Sequence, residues 1–145
     1  MHKDFYASGF LYNPQSQQIL LQQPSAAEDN GPWGLLEDEV DSGSFGEQTF
    51  KDLVEKNLKA KLSLKKILYI YTRFANGTEK DHSIYYAEVK KLRKNIVSKK
   101  HKFAWFGFKQ IHKLNLSEQT RHDIMVGQRV IDSATRKSLG QQTIG

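Results

Sequence analysis

The sequence predicts an α/β sandwich in one domain, and three observations carry that reading. The chain has 145 residues with 38% hydrophobic content, strand-like runs alternate with two helical patterns, and no shift in composition marks a second unit. The elements run hairpin, loop, helix, strand, strand, strand and helix. Residues 1–145 are read as a single domain whose tail frays from about residue 140.

The opening run from Lys3 to Tyr12 is rich in aromatics and stops at the turn signal Asn13-Pro14-Gln15-Ser16. Gln18-Ile19-Leu20-Leu21-Gln22 then resumes a strand, so the pair reads as a β-hairpin. Pro24 to Gly34 has the composition of a surface loop, anchored at its far end by Trp33. The acidic segment Glu37 to Asp41 comes next and reads as a solvent-facing loop. From Gly46 to Leu62 the apolar spacing of Phe50, Leu53 and Val54, with Asn57, predicts a helix capped by Ser44 or a neighbour. Ile67 to Thr72 reads as a well-buried strand, Asn76-Gly77 as a tight turn and Ser83 to Val89 as the next strand. Phe103 to Phe108 is a further strand or extended edge. Ser117 caps a second helix whose inward side carries Ile124, Gln128 and Ile131.

The absence of cysteine excludes disulfides, thiolate catalysis and Cys-type zinc sites. No apolar run approaches the length of a membrane span, and Met1 to Asp4 lacks the apolar start of a secretory signal, so the expectation is a cytoplasmic protein with no membrane partner. Lys and Arg number 22 against 16 Asp and Glu, and seven of those cations fall between Lys90 and Lys102. Such a strip attracts phosphate-bearing ligands or nucleic acid, or simply solvates a surface loop.

The stretch Trp33-Gly34-Leu35-Leu36-Glu37-Asp38-Glu39-Val40-Asp41-Ser42-Gly43-Ser44, followed by Lys51-Asp52-Leu53-Val54-Glu55-Lys56-Asn57-Leu58, resembles the Nudix box. Trp33, Leu35, Val40 and Gly43 match the pattern and Asp41 replaces a Glu. The hairpin around Phe10-Leu11-Tyr12 and Ile19 to Gln23, the strand His82 to Val89 and the closing Trp105-Phe106 with its helix are similar to the family in order and spacing. The resemblance implies a Nudix-type α/β/α sandwich, with a mixed β-sheet between helices. It also implies water attack on a diphosphate in a nucleoside diphosphate derivative, with Mg²⁺ or Mn²⁺ held by carboxylates of the helix.

On that reading Asp52 and Glu55 are the catalytic carboxylates and, with Asp41, the metal ligands; Trp33, Phe45, Lys51 and Trp105 are the expected substrate contacts. Asp52, Glu55 and Lys56 share one helical face at i, i+3 and i+4. The third ligand position of the family is therefore a lysine. Two unit charges about 4 Å apart interact by roughly 4 kcal/mol at an effective dielectric near 20, and a divalent ion doubles the effect. The family's Pro-Gly-Gly is Leu36-Glu37-Asp38, its helix Arg is Lys51, which lacks the bidentate fork, and its helix-ending Gly is Leu58. Glu37, Asp38 and Glu39 are the acids available to compensate. These departures imply weakened, atypical or absent pyrophosphohydrolase activity, with no metal cofactor at the extreme. The alternative is a non-catalytic module binding an anionic ligand, a nucleic acid or a protein partner. Trp33, Phe45 and Trp105 stand either to stack on a base or to plug the core. The five histidines show no metal-ligand spacing and are read as unrelated to the site.

Overall fold

The structure is a computed structural model and describes residues 5–26, 31–41, 43–75, 80–90 and 100–144, the side chains of 141–144 excepted. The Asn76-Gly77 turn and Lys91 to Lys99 of the basic strip lie outside the described residues, which leaves Lys90, Lys100 and Lys102 as the strip's described cations.

The hairpin forms as its turn signal predicts. Strands β1 (Phe5–Asn13) and β2 (Gln18–Pro24) pair antiparallel, and the Asn13 side-chain oxygen accepts the backbone N–H of Gln15 at 2.9 Å. The acidic segment departs from expectation. Leu36–Val40 is not a loop but strand β3, paired antiparallel with β1 from Gly9↔Leu36 to Phe5↔Val40. Its acids are nonetheless exposed: period two turns Leu36 and Val40 into the core and leaves Glu37 and Glu39 on the opposite side, while Asp38 is exposed although it shares the parity of Leu36 and Val40.

Helix α1 (Gly46–Leu58) starts after Phe45 with no side-chain cap and ends at Lys59, whose left-handed φ of 51° lets its N–H reach the Glu55 carbonyl. Phe50, Val54 and Leu58 are its buried stripe; Asn57, expected on that stripe, instead donates its side-chain amide to the Leu53 carbonyl at 2.8 Å. A 3-10 turn, Leu64–Lys66, leads into β4 (Ile67–Arg73). The apolar run of β4 predicts an interior strand, but it is an edge strand: Ile67 and Ile70 are buried, while Leu68 and Tyr69 are exposed. β5 (Asp81–Glu88) lies antiparallel to β4 and parallel to β1, and β6 (His101–Gly107) lies antiparallel to β2. The mixed sheet runs β4-β5-β1-β2-β6 with β3 also against β1.

Two helices complete the chain, the short α2 (Phe108–Ile111) and the long α3 (Glu118–Ile144). The Ser117 hydroxyl accepts the Thr120 N–H at 3.1 Å, the cap that the sequence predicts. α1 covers one face of the sheet through Ala7, Leu11, Leu20, Leu36, Val40 and Tyr85. α3 covers the other through Phe10, Ile19, Leu21, Ile84 and Tyr86. Gly127 sets how closely α3 approaches, since a β-carbon there would lie 2.8 Å from Phe10 Cζ and 3.1 Å from Ile70 Cδ1. No described helix is long and apolar enough to cross a membrane.

Candidate functional site

The helix α1 carboxylates are held by neighbours within the chain. Glu55 Oε1 receives the Lys51 ammonium at 2.8 Å, one helical turn back, and its Oε2 accepts the Leu62 backbone N–H at 3.0 Å. The hydrogen bond from Lys51 and then that from Leu62 hold the Glu55 carboxyl below its ordinary range. Asp52 is exposed and accepts the side-chain amide of Gln48 at 2.8 Å. Lys56 is exposed beside them, and Asp41 is exposed between β3 and α1, its carbonyl accepting the Ser44 N–H at 2.9 Å. Among the described residues no group of three His, Asp or Glu side chains has the geometry to hold a metal ion. A hard divalent cation needs several convergent oxygens. The donor set on α1, with one carboxylate doubly engaged and a lysine beside it, does not fit such an ion.

The expected substrate contacts are dispersed. Trp33 packs with the α3-side core, edge-on to Phe106 at 4.9 Å, whereas Trp105 packs on the α1-side core. The two indoles are thus on opposite faces of the sheet. Phe45 is 74% exposed at the start of α1, and Lys51 is committed to Glu55. Trp33 lines a concavity of about 250 Å³ with Gln22, Pro24, Pro32, Gly34, His101 and Ser117. His101 Nδ1 is buried without a hydrogen-bond partner.

A polar row that the sequence reading missed crosses the α3 face of the sheet. Glu37 Oε1 accepts from Ser8 Oγ at 3.0 Å and from His82 Nδ1 at 2.9 Å, which places a ring proton on Nδ1. The imidazole stacks on Tyr6 with centroids 4.8 Å apart, and Lys80 pairs with Glu39 on the same side. Across the β4–β5 ladder from His82 stands Arg73, which reaches Asp123 at 3.4 Å and Gln119 at 3.2 Å. Asp123, on α3, is 1% exposed and also accepts the Tyr71 hydroxyl. Burial first, and then that carboxylate, push the Tyr71 hydroxyl well up. The Arg73 Nε–H is buried without a partner. A signal for half of this row exists in the sequence, because Asp123 is an acid beside Ile124 on the inward side of α3, and such acids require partners. The other half depends on the β3–β1–β5 register, so His82, read as unrelated to any site, has no local mark.

No family model and no curated protein matches the sequence. Solved structures do match the fold. The chain is similar to the Nudix domain of Shewanella oneidensis NrtR, solved with ADP ribose, at TM-score 0.69 and 16% identity over 90% of each chain. A MutT/Nudix family protein from Listeria innocua matches at TM-score 0.66 and 14% identity, over 96% of this chain and 98% of that one. The C-terminal domain of mouse MUTYH, solved in complex with human PCNA, matches at TM-score 0.68 and 9% identity, over 90% of this chain and 91% of that one. With the mixed sheet between α1 and α3 already in place, these likenesses establish that the chain has the Nudix fold, an α/β/α sandwich.

Proposed function

We propose that this chain is a Nudix-fold protein related to hydrolases of nucleoside diphosphate derivatives which binds such a ligand and turns it over weakly or not at all. The observation that carries this reading is Glu55, whose two oxygens are taken by Lys51 and by the Leu62 N–H while Lys56 stands at the next ligand position. Releasing that carboxylate to a cation breaks two hydrogen bonds and still leaves an ammonium in place of a third oxygen ligand. Binding needs none of this. The concavity beside Trp33 offers an aromatic wall and the start of the long helix α3 at Ser117. The bound ADP ribose of the Shewanella Nudix domain makes that ligand class the first to try.

The test is thermal shift with ADP and ADP ribose, each with and without Mg²⁺ or Mn²⁺, beside an assay for released nucleoside monophosphate. The expected result is stabilisation by nucleotide that is indifferent to the metal, reduced in Trp33→Ala, with product release at background. Joining Lys51→Ala to Lys56→Glu frees Glu55 Oε1 and adds a third carboxylate, and is expected to create a Mn²⁺-dependent shift absent from the parent. Efficient metal-dependent turnover by the parent that disappears in Glu55→Gln would overturn the proposal.

A further inference from the structure

A second charged feature, a run of lysines from the last turn of α1 to the 3-10 turn, is separate from the Trp33 concavity. Between Lys56 and Thr78 the chain contains no acid at all, and five lysines fall between positions 56 and 66. Lys56, Lys59, Lys61, Lys65 and Lys66 are all exposed. The last two line a groove of about 230 Å³ together with Lys90, Glu88 and the apolar side chains of Pro14, Leu68 and Val89.

Three backbone segments hold the groove in shape. Ser63 caps the 3-10 turn by accepting the Lys65 N–H, and the Lys66 N–H bonds to the Ser63 carbonyl at 3.0 Å. Leu68 pairs in register with Tyr86, which fixes the turn against the end of β5. The Val89 N–H donates to the Tyr12 carbonyl at 2.9 Å and the Asn13 side chain donates to the Lys90 carbonyl at 3.4 Å, which ties the opposite wall to the β1–β2 turn. The three ammonium groups are thus presented from well-anchored backbone, with Glu88 as the one acid in the lining.

We propose that this groove binds single-stranded nucleic acid, its phosphates on Lys65, Lys66 and Lys90 and its sugars and base faces on Leu68, Val89 and Pro14. Charge complementarity selects a polyanion over a single phosphate, because the run of exposed lysines extends in sequence beyond the groove lining to Lys61, Lys59 and Lys56, more cations than a lone anion uses. The apolar floor selects nucleic acid over an acidic peptide, since sugars and base faces present apolar surface between charges that are regularly spaced. The proposal stands or falls independently of nucleotide binding at Trp33.

The experiment is fluorescence anisotropy with a labelled oligothymidylate over a salt series, on the full chain. Binding is expected to weaken linearly on a log–log plot. Lys65→Ala with Lys66→Ala is expected to reduce the slope by about 1.4, that is about 0.7 for each single-strand phosphate that a lysine no longer neutralises. Glu88→Gln is expected to tighten binding. These side chains are exposed, so the variants leave the core intact. A slope unchanged in the double variant overturns the proposal. So does full competition by millimolar inorganic phosphate, which would make the groove a small-anion site, or equal competition by polyglutamate, which would make it a peptide site.

Discussion

Lys51 and Glu55 form an ion pair at 2.8 Å along the exposed side of α1, and the second oxygen of the same carboxylate caps the backbone of Leu62. One acid thereby ties the helix to the segment that comes after it. Its folded-state pKa is lowered, by the Lys51 hydrogen bond first and the Leu62 hydrogen bond second. A depressed carboxylate contributes stability that is fully present above its ordinary value of 4.5 and is lost as pH falls through the folded value. Urea midpoints measured from pH 6 down to pH 3 are expected to fall less steeply in Glu55→Gln than in the parent. Equal slopes would show that this pair makes no linkage contribution.

The buried end of the polar row predicts a larger effect. Tyr71→Phe removes the hydroxyl that Asp123 accepts and leaves a carboxylate with 1% exposure facing Arg73 alone. Hydrogen bonds to charged groups are worth about 1.5–3 kcal/mol, so equilibrium unfolding should register a loss in that range. A loss below about 0.5 kcal/mol, on the same scale, would mean that Arg73 and solvent already satisfy the acid.

Gly127→Ala sets two effects against each other. Helix propensity gains up to about 1 kcal/mol, while a methyl group 2.8 Å from the Phe10 ring overpacks the interface at a cost of about 1–3 kcal/mol. The ring is fully buried and cannot swing away, so the net change is expected to be destabilising. A stabilised variant in thermal unfolding would show that α3 shifts outward without penalty.

Local signals made much of the fold legible. The Asn13 turn, the Phe50 and Val54 stripe and the Ser117 cap each depend on a few consecutive residues, and each forms as read. The strand at Glu37 to Glu39 was not legible, because three successive acids carry no strand signature and only pairing with β1 explains them. β4 misled in the opposite sense: its apolar run describes an interior strand, yet the topology leaves it at the edge, where a register shift between Tyr69 and Tyr71 interrupts the ladder. The α1 acids were found by spacing, but spacing does not reveal that Lys51 and Leu62 occupy Glu55. For the substrate contacts, residue type placed Trp33 and Trp105 in one group, and the sheet separates them.

That separation makes the chain its own spectroscopic instrument. One indole senses the layer under α3 and the other the layer under α1, and no other tryptophan contributes to the emission. Replacing either by Phe leaves a single tryptophan, so with excitation at the red edge, where tyrosine does not absorb, the loosening of each half of the sandwich during denaturation becomes separately observable without an added label.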